Sequence, residues 1–209
     1  MSYGYFTITD ETENTIVIER SKFICNIKPI NDESEARTFI EEIRKRHSLA
    51  NHCCYAYIAD DKGLVQKFSD AGEPQGTAGL PMLEVLKNKK IYKVVAVVTR
   101  YFGGIKLGTG GLTRAYGGSV NECLSNAEIV NMQESVIMSV SPDYEGYSRL
   151  LKLLSNPNLA IIETEFDNVV KVKFAVKKDF VDSFNIMLLD TFNGKLNAKI
   201  LYSDFYAFR

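Results

Sequence analysis

The chain has 209 residues, of which 45% are hydrophobic and 24% are charged, and its formal net charge is −1. This composition is typical of a folded globular protein and excludes a disordered or fibrous chain. The nearly neutral charge argues against nonspecific wrapping of nucleic acid by the whole surface. We find neither a secretory signal nor an apolar run near the roughly 18 residues of a membrane span, so we expect a cytoplasmic protein without membrane contact.

The first half of the chain alternates strand-like and helix-like segments. Residues 15–30 are rich in β-branched and aromatic side chains and predict one long or bent strand. An amphipathic helix capped by Asp32 is predicted next. Two further strand-like segments flank Asp61-Lys62-Gly63 and predict a hairpin. The apolar stripe of the predicted helix consists of Ala36, Phe39, Ile40 and Ile43.

A glycine-rich segment separates a predicted buried strand from a predicted helix. Residues 94–99 are apolar at almost every position, which favours a strand covered on both faces. The stretch TRYFGGIKLGTGGLTRAYGG (99–118) follows and holds seven of the 14 glycines. A helix is expected to begin near Gly110, so its first unpaired amides would face the glycine turn.

Positive charge is concentrated around this segment. Between Glu84 and Glu122 there is no acidic residue. The interval could be a solvated face whose acidic partners come from elsewhere in the fold, or it could be a ligand surface. Its positive residues are Lys87, Lys89, Lys90, Lys93, Arg100, Lys106 and Arg114.

Glycines beside cations predict a site for phosphate or nucleic acid. Glycines let a ligand approach the main chain, helix amides bind anions, and arginines add charge-assisted contacts. The spacing matches neither the P-loop nor the dinucleotide fingerprint, and close packing of helix and strand remains the competing explanation for the glycines. The candidate phosphate- or nucleic-acid-binding residues are Arg100, Tyr101, Phe102, Gly103, Gly104, Lys106, Gly108, Thr109, Gly110, Gly111 and Arg114.

A second polar loop, SDAGEPQGTAG (69–79), contains Asp70, Glu73 and Thr77. The two carboxylates could bind a cation or handle a proton, or they could simply form turns, and Thr77 resembles a helix cap. No nucleophile stands beside a base, so we predict no catalytic residue. His52 adjoins two cysteines, but strand alternation separates their side chains. We therefore predict no metal site and no cofactor.

The second half predicts a separate domain. From Gln133 onward the segments have the order strand, helix, strand, strand, helix, strand. That βαββαβ order indicates a ferredoxin-like domain. We expect an α+β protein with domains at 1–132 and 133–209.

Four motifs together resemble the IMPACT family, and the length and second domain resemble its YigZ-like bacterial branch. They are ERSKF (19–23), HCCYAY (52–57), SDAGEPQGTAGLP (69–81) and VVTRYFGGIKLGTGGLTRAY (97–116). One departure is Ala71, where the usual loop resembles Ser-Asp-Asp-Gly-Glu-Pro. This departure weakens a role for the loop in carboxylate chemistry.

The resemblance implies an N-terminal βαβ-rich domain like the second domain of a small-subunit ribosomal protein, a fold shared with elongation factor G. The C-terminal domain would be similar to the last domain of that factor. The eukaryotic namesake is regarded as a translation regulator that acts through protein partners, but its RWD module has no counterpart in this sequence. The leading hypothesis is thus a non-enzymatic translation-associated regulator that binds RNA or a ribosomal ligand. The alternatives are an enzyme or sensor acting on a small phosphate ester or nucleotide, and a protein-docking module.

Overall fold

The computed structural model describes residues 3–167 and 169–208. They form two compact units, one from Tyr5 to Val130 and one that contains the chain from Asn131 onward with residues 3 and 4. The elements before the division are β1 (Gly4–Ile8), β2 (Thr12–Ile18), β3 (Ser21–Pro29), α1 (Glu33–Arg46), β4 (His52–Ile58), β5 (Gln66–Ser69), α2 (Gly79–Asn88), β6 (Val94–Tyr101) and α3 (Gly108–Ser125).

The N-terminal unit is an antiparallel sheet with helices on both faces. Its strand order is β2-β3-β6-β4-β5, so β6 is central. Val95 and Val97 of β6 pack with the apolar stripe of α1, whereas Ala96 and Val98 pack in the core that contains α2 and α3. Burial of β6 on both faces confirms the expectation from its continuous apolar sequence. The Asp32 cap and the predicted hairpin are also confirmed.

The single strand predicted for residues 15–30 is wrong. The chain reverses at Glu19 and Arg20, which have φ values of 46° and 64°, and forms the β2–β3 hairpin. Two residues with positive φ match the turn that joins twisted antiparallel strands, and such turns usually carry Gly or Asn. Because neither Gly nor Asn stands at these two positions, the sequence pattern contains no turn signal.

The C-terminal unit has the predicted ferredoxin-like arrangement. Its strands pair antiparallel in the order β10-β7-β9-β8, and α4 and α5 pack against one face of the sheet. None of the helices in the described ranges is long and apolar enough to cross a membrane. The remaining elements are β7 (Ile129–Val140), α4 (Tyr144–Leu154), β8 (Leu159–Phe166), β9 (Val170–Lys177), a 3₁₀ turn (Lys178–Phe180), α5 (Val181–Phe192) and β10 (Lys199–Ala207).

Candidate anion-binding site

Arg100 lies near the end of β6 and forms a buried ion pair. Side chains alternate along the strand, so Arg100 continues the row of Ala96 and Val98 that faces α3. Its Nη1 donates to Oε1 of Glu73 at 2.8 Å, and the exposed fractions of the two side chains are 6% and 3%. The guanidinium lies 5.4 Å from the ring centre of Phe102. These contacts hold the Arg100 side chain in place. They leave only part of its guanidinium able to bind a ligand.

Two more side chains converge on Glu73. The hydroxyl of Tyr116 donates to the same Oε1 at 2.7 Å, and Nε2 of His52 lies 3.9 Å from it. Burial raises the pKa of Tyr116, so the phenol stays protonated and remains a donor. Nδ1 of His52 lies 3.1 Å from the carbonyl oxygen of Ala71 and donates to it, which directs Nε2 toward Glu73.

Ser21 and Asn51 tie the glycine segment to neighbouring strands, and the sequence reasoning missed both. Ser21 Oγ accepts from Arg100 Nη2 at 3.4 Å and from the amide of Gly103 at 3.2 Å. Asn51 Oδ1 accepts from the amide of Phe102 at 2.8 Å. Ser21 lies inside the ERSKF motif, but only the β3–β6 pairing brings it near Arg100.

The glycines have two different roles. Some permit close packing of the chain, and others keep the approach to α3 open. A Cβ at Gly103 would lie 2.0 Å from the carbonyl carbon of Arg20, so this glycine permits the chain crossing. A Cβ at Gly111 would lie 2.9 Å from Cβ of Leu107. Gly104 and Gly108 have φ values of 86° and 68°, and a Cβ at either would meet open space. The packing explanation therefore holds for Gly103 and Gly111, while Gly104 and Gly108 turn the chain into α3 and leave the approach to its end open.

The N-terminus of α3 lacks a side-chain cap from the described part of the chain. The helix begins at Gly108, two residues before the predicted start, and its N-cap is Leu107. The first turn contains no acidic residue, and no described side chain caps it. Gly108, Thr109 and Gly110 are exposed. The first amides of an 18-residue helix thus face solvent with the positive end of the helix dipole.

A cavity of about 390 Å³ opens in front of this turn. Lys106 lines it and has no carboxylate partner among residues 3–167 and 169–208. Arg114 is exposed on α3, also without such a partner, and its Nη1 lies 3.6 Å from the Cβ position at Gly110. The lining residues are Asn51, His52, Glu73, Pro74, Arg100, Phe102, Lys106, Leu107, Gly108, Thr109 and Leu112.

The two aromatic candidates after Arg100 have different surroundings. The hydroxyl of Tyr101 lies 3.1 Å from Nδ1 of His47 and is engaged there. Phe102 is 45% exposed and lines the cavity. Only Phe102 of this pair presents a ring at the cavity.

Asp70 has a structural role at the start of α2. Its carboxylate accepts from the amides of Gly76, Ala78 and Gly79 at 2.8, 3.0 and 2.9 Å. The expected cap by Thr77 is wrong, because its hydroxyl donates to the carbonyl of Pro74 at 2.7 Å. Asp70 reaches from six to nine residues upstream, a spacing outside the usual capping pattern. In the described parts of the chain, no group of three or more His, Cys, Asp or Glu is placed to hold a metal ion.

Comparison with known proteins identifies the family. The Impact N-terminal domain model matches residues 19–124, and a domain of unknown function, DUF1949, matches residues 140–195. The chain belongs to the IMPACT family. It is 41% identical to the IMPACT family member YvyE of Bacillus subtilis, over 95% of this chain and 92% of the relative.

Two further similarities extend along most of this IMPACT-family chain. The IMPACT family member YigZ of Escherichia coli is 35% identical over 86% of this chain and 89% of its own length. A crystal structure of a hypothetical protein is 32% identical, with a TM-score of 0.62 over 96% of this chain and 98% of that chain.

The four IMPACT motifs meet around one buried carboxylate. ERSKF supplies Ser21, SDAGEPQGTAGLP supplies Glu73, and the last motif supplies both Arg100 and Tyr116. HCCYAY supplies His52. His52, Glu73 and Arg100 form the rear wall of the cavity in front of α3, and Ser21 and Tyr116 contact this wall without lining the cavity.

Proposed function

We propose that this IMPACT-family chain is a translation-associated regulator that binds RNA, with an RNA phosphate held at the first turn of α3. One observation carries the proposal. The exposed, uncapped N-terminus of an 18-residue helix opens on a cavity beside Lys106, a cation with no carboxylate partner in the described chain. Helix N-termini of this kind favour anions through both their amides and their dipole.

The phosphate contacts are divided among main chain and side chains. The amides of the first turn, Gly108 to Gly111, donate to phosphate oxygens. Lys106 and Arg114 supply positive charge, and Arg114 offers a fork that matches two oxygens. Gly104 and Gly108 keep the approach clear of Cβ atoms. Phe102 offers an exposed ring on which an adjacent base stacks.

Arg100 contributes differently from the phosphate-holding role expected from sequence. Glu73 neutralises it, so the pair adds little net charge to the cavity. Its guanidinium instead supports the ring of Phe102 and joins the strands that form the rear wall. The assignment to translation and RNA rests on the family resemblance together with this anion-binding geometry.

The test measures RNA affinity against salt concentration for the wild type and for Lys106→Ala, Arg114→Ala and the double variant. Each lost phosphate contact on a single strand lowers the log–log slope by roughly 0.7. Lys62→Ala is the matched control, because Lys62 is an exposed lysine in the β4–β5 turn and does not line the cavity. Unchanged slopes in the double variant contradict the proposal.

A second candidate, an enzyme or sensor acting on a small phosphate ester or nucleotide, is favoured by the cavity itself. Its volume of about 390 Å³ lies within the range of small-molecule pockets, and buried Glu73 stands beside His52. A thermal-shift screen of nucleotides with and without Mg²⁺ separates the candidates. A ligand at 100 times its Kd stabilises the fold by about 2.7 kcal/mol. The second candidate therefore predicts that a mononucleotide raises the melting temperature.

A further inference from the structure

A second cavity lies in the C-terminal unit, and its charged lining residues project from the sheet face that α4 and α5 leave uncovered. Its volume is about 510 Å³, which is enough for a small molecule. Side chains of β9 alternate, so Val172 and Phe174 join the helix-covered core while Lys171 and Lys173 face the other side. The lining residues are Ser139, Val140, Ser141, Glu163, Glu165, Lys171, Val172, Lys173, Leu196, Asn197, Lys199 and Leu201.

Two cations of this cavity are available to a ligand. Lys171 is paired with Glu165 at 3.8 Å. Lys173 and Lys199 have no carboxylate within 4.0 Å in the part of the chain that the structure describes. They belong to β9 and β10, which both pair with β7, so their side chains approach the cavity from different strands.

An aromatic ring adjoins these lysines. Nζ of Lys173 lies 5.5 Å from the ring centre of Tyr202, which is 48% exposed. The strand has a bulge between Ile200 and Tyr202, and Leu201 there lines the cavity. A bulge redirects side chains and increases the local twist. Tyr202 does not itself line the cavity, but its half-exposed ring lies against Lys173, which does.

A carboxylate lies beside Lys173 on the same face of the neighbouring strand. Glu163 of β8 is the register partner of Lys173, yet it forms no ion pair with any described residue. The strand has a bulge between Ile161 and Glu163. Two lysines and a carboxylate that form no ion pair within the described residues fit a ligand that carries both an anion and hydrogen-bond donors.

We propose that this cavity binds one nucleotide of a single-stranded RNA. Lys173 and Lys199 contact the phosphate, Glu163 accepts a hydrogen bond from the ribose 2′-hydroxyl, and Tyr202 stacks on the base. A carboxylate that accepts from a ribose hydroxyl is a recurrent way to recognise ribonucleotides. The inference goes beyond the proposed function, because it assigns a separate site in the other unit.

The test uses the full chain labelled with ¹⁵N and titrated with hexauridylate, its deoxy counterpart and uridine 5′-monophosphate. We expect the amides of Lys173 and Lys199 to shift with hexauridylate. Lys173→Ala and Lys199→Ala each weaken this local binding about tenfold, as loss of a charged hydrogen bond predicts. Lys152→Ala, an exposed lysine on α4, is the matched control and leaves it unchanged.

Glu163→Ala tests the ribose contact specifically, because it removes the acceptor of the 2′-hydroxyl, which the amide oxygen of a glutamine would retain. It reduces the preference for hexauridylate over the deoxy oligomer, an effect that a merely structural role would not produce. An unchanged preference contradicts the assignment, and so do unshifted amides at Lys173 and Lys199. If uridine 5′-monophosphate binds as tightly as hexauridylate or more tightly, the cavity takes a free nucleotide and the proposal of RNA is wrong. Because the shifts are read at β9 and β10, failure here is distinguishable from failure at Lys106 and Arg114.

Discussion

Arg100 and Glu73 form a buried ion pair that joins the central strand β6 to the loop before α2, with 2.8 Å between Nη1 and Oε1. Tyr116 of α3 donates to the same oxygen. The carboxylate of Glu73 thus connects β6, the loop before α2 and α3. These contacts hold Arg100 and Glu73 in the rear wall of the cavity in front of α3, and Lys106 is the lining cation that pairs with no carboxylate among residues 3–167 and 169–208.

Glu73→Gln leaves the Arg100 guanidinium buried without a counter-charge. Removal of one partner from a buried pair costs about 3–5 kcal/mol, and we expect a loss of that size in the free energy of unfolding measured by urea denaturation. The double variant Glu73→Leu/Arg100→Met should lose less than the sum of its two single variants. Additive losses would mean that the pair is not coupled.

Asp70→Ala removes the acceptor of three amides at the start of α2. We expect a loss of about 1–3 kcal/mol, because three partly buried amides are left without their acceptor. Hydrogen exchange at Gly76, Ala78 and Gly79 should accelerate more than exchange in α1. Thr77→Val serves as the comparison and should leave these three amides protected.

Two glycine substitutions should have opposite effects. Gly103→Ala places a Cβ 2.0 Å from backbone of Arg20, and we expect a loss of about 1–3 kcal/mol from overpacking. Gly118→Ala lies inside α3 with no heavy atom within 4 Å of the new Cβ. It should stabilise the protein by up to about 1 kcal/mol through helix propensity. Thermal melts of both variants test these two expectations. Similar melting temperatures for the two variants would contradict them.

Alkaline pH should destabilise the N-terminal unit through several groups whose pKa values burial raises, among them Cys54 and Tyr116. Burial raises the pKa of Cys54 from 9.0 to about 12 and raises the pKa of Tyr116 above 10.0. The folded state therefore holds these protons more tightly than the unfolded state. Their contribution is fully present below pH 9 and declines as the pH rises toward the folded pKa values.

The measurement is the free energy of unfolding from pH 8 to 11. Each group lowers it by up to about 1.4 kcal/mol per pH unit within its window. Cys54→Ala should flatten the decline from pH 9, and Tyr116→Phe should flatten it only above pH 10. Identical alkaline slopes in wild type and variants would show that these protons are not coupled to folding.

Local patterns were sufficient for much of the fold. The α1 stripe depends on spacing within one helix, and the ferredoxin-like order depends on the succession of segments, so both could be predicted. The Glu19-Arg20 turn could not, because non-glycine residues adopt the positive φ there. The same local patterns predict the strand-to-helix turn of the glycine segment, which joins β6 to α3.

The rear wall of the site depends on contacts that no local pattern contains. Glu73 meets Arg100 and Tyr116 across 27 and 43 residues, and Ser21 meets Arg100 across 79. Charge counts predict the basic interval, but they do not predict that Glu73 neutralises Arg100 or that Lys106 has no carboxylate partner within the described residues. Alternation along β6 was the available signal, since it places Arg100 on the same face as the apolar residues that contact α3.

The most direct test of the central claim is an amide titration of the ¹⁵N-labelled chain with a short single-stranded RNA at low salt. The account predicts that the amides of Gly108, Thr109, Gly110 and Gly111 show the largest shifts in the N-terminal unit, and that Lys106→Ala/Arg114→Ala abolishes them. Amides at the start of α3 that stay unshifted while the RNA binds would contradict the account.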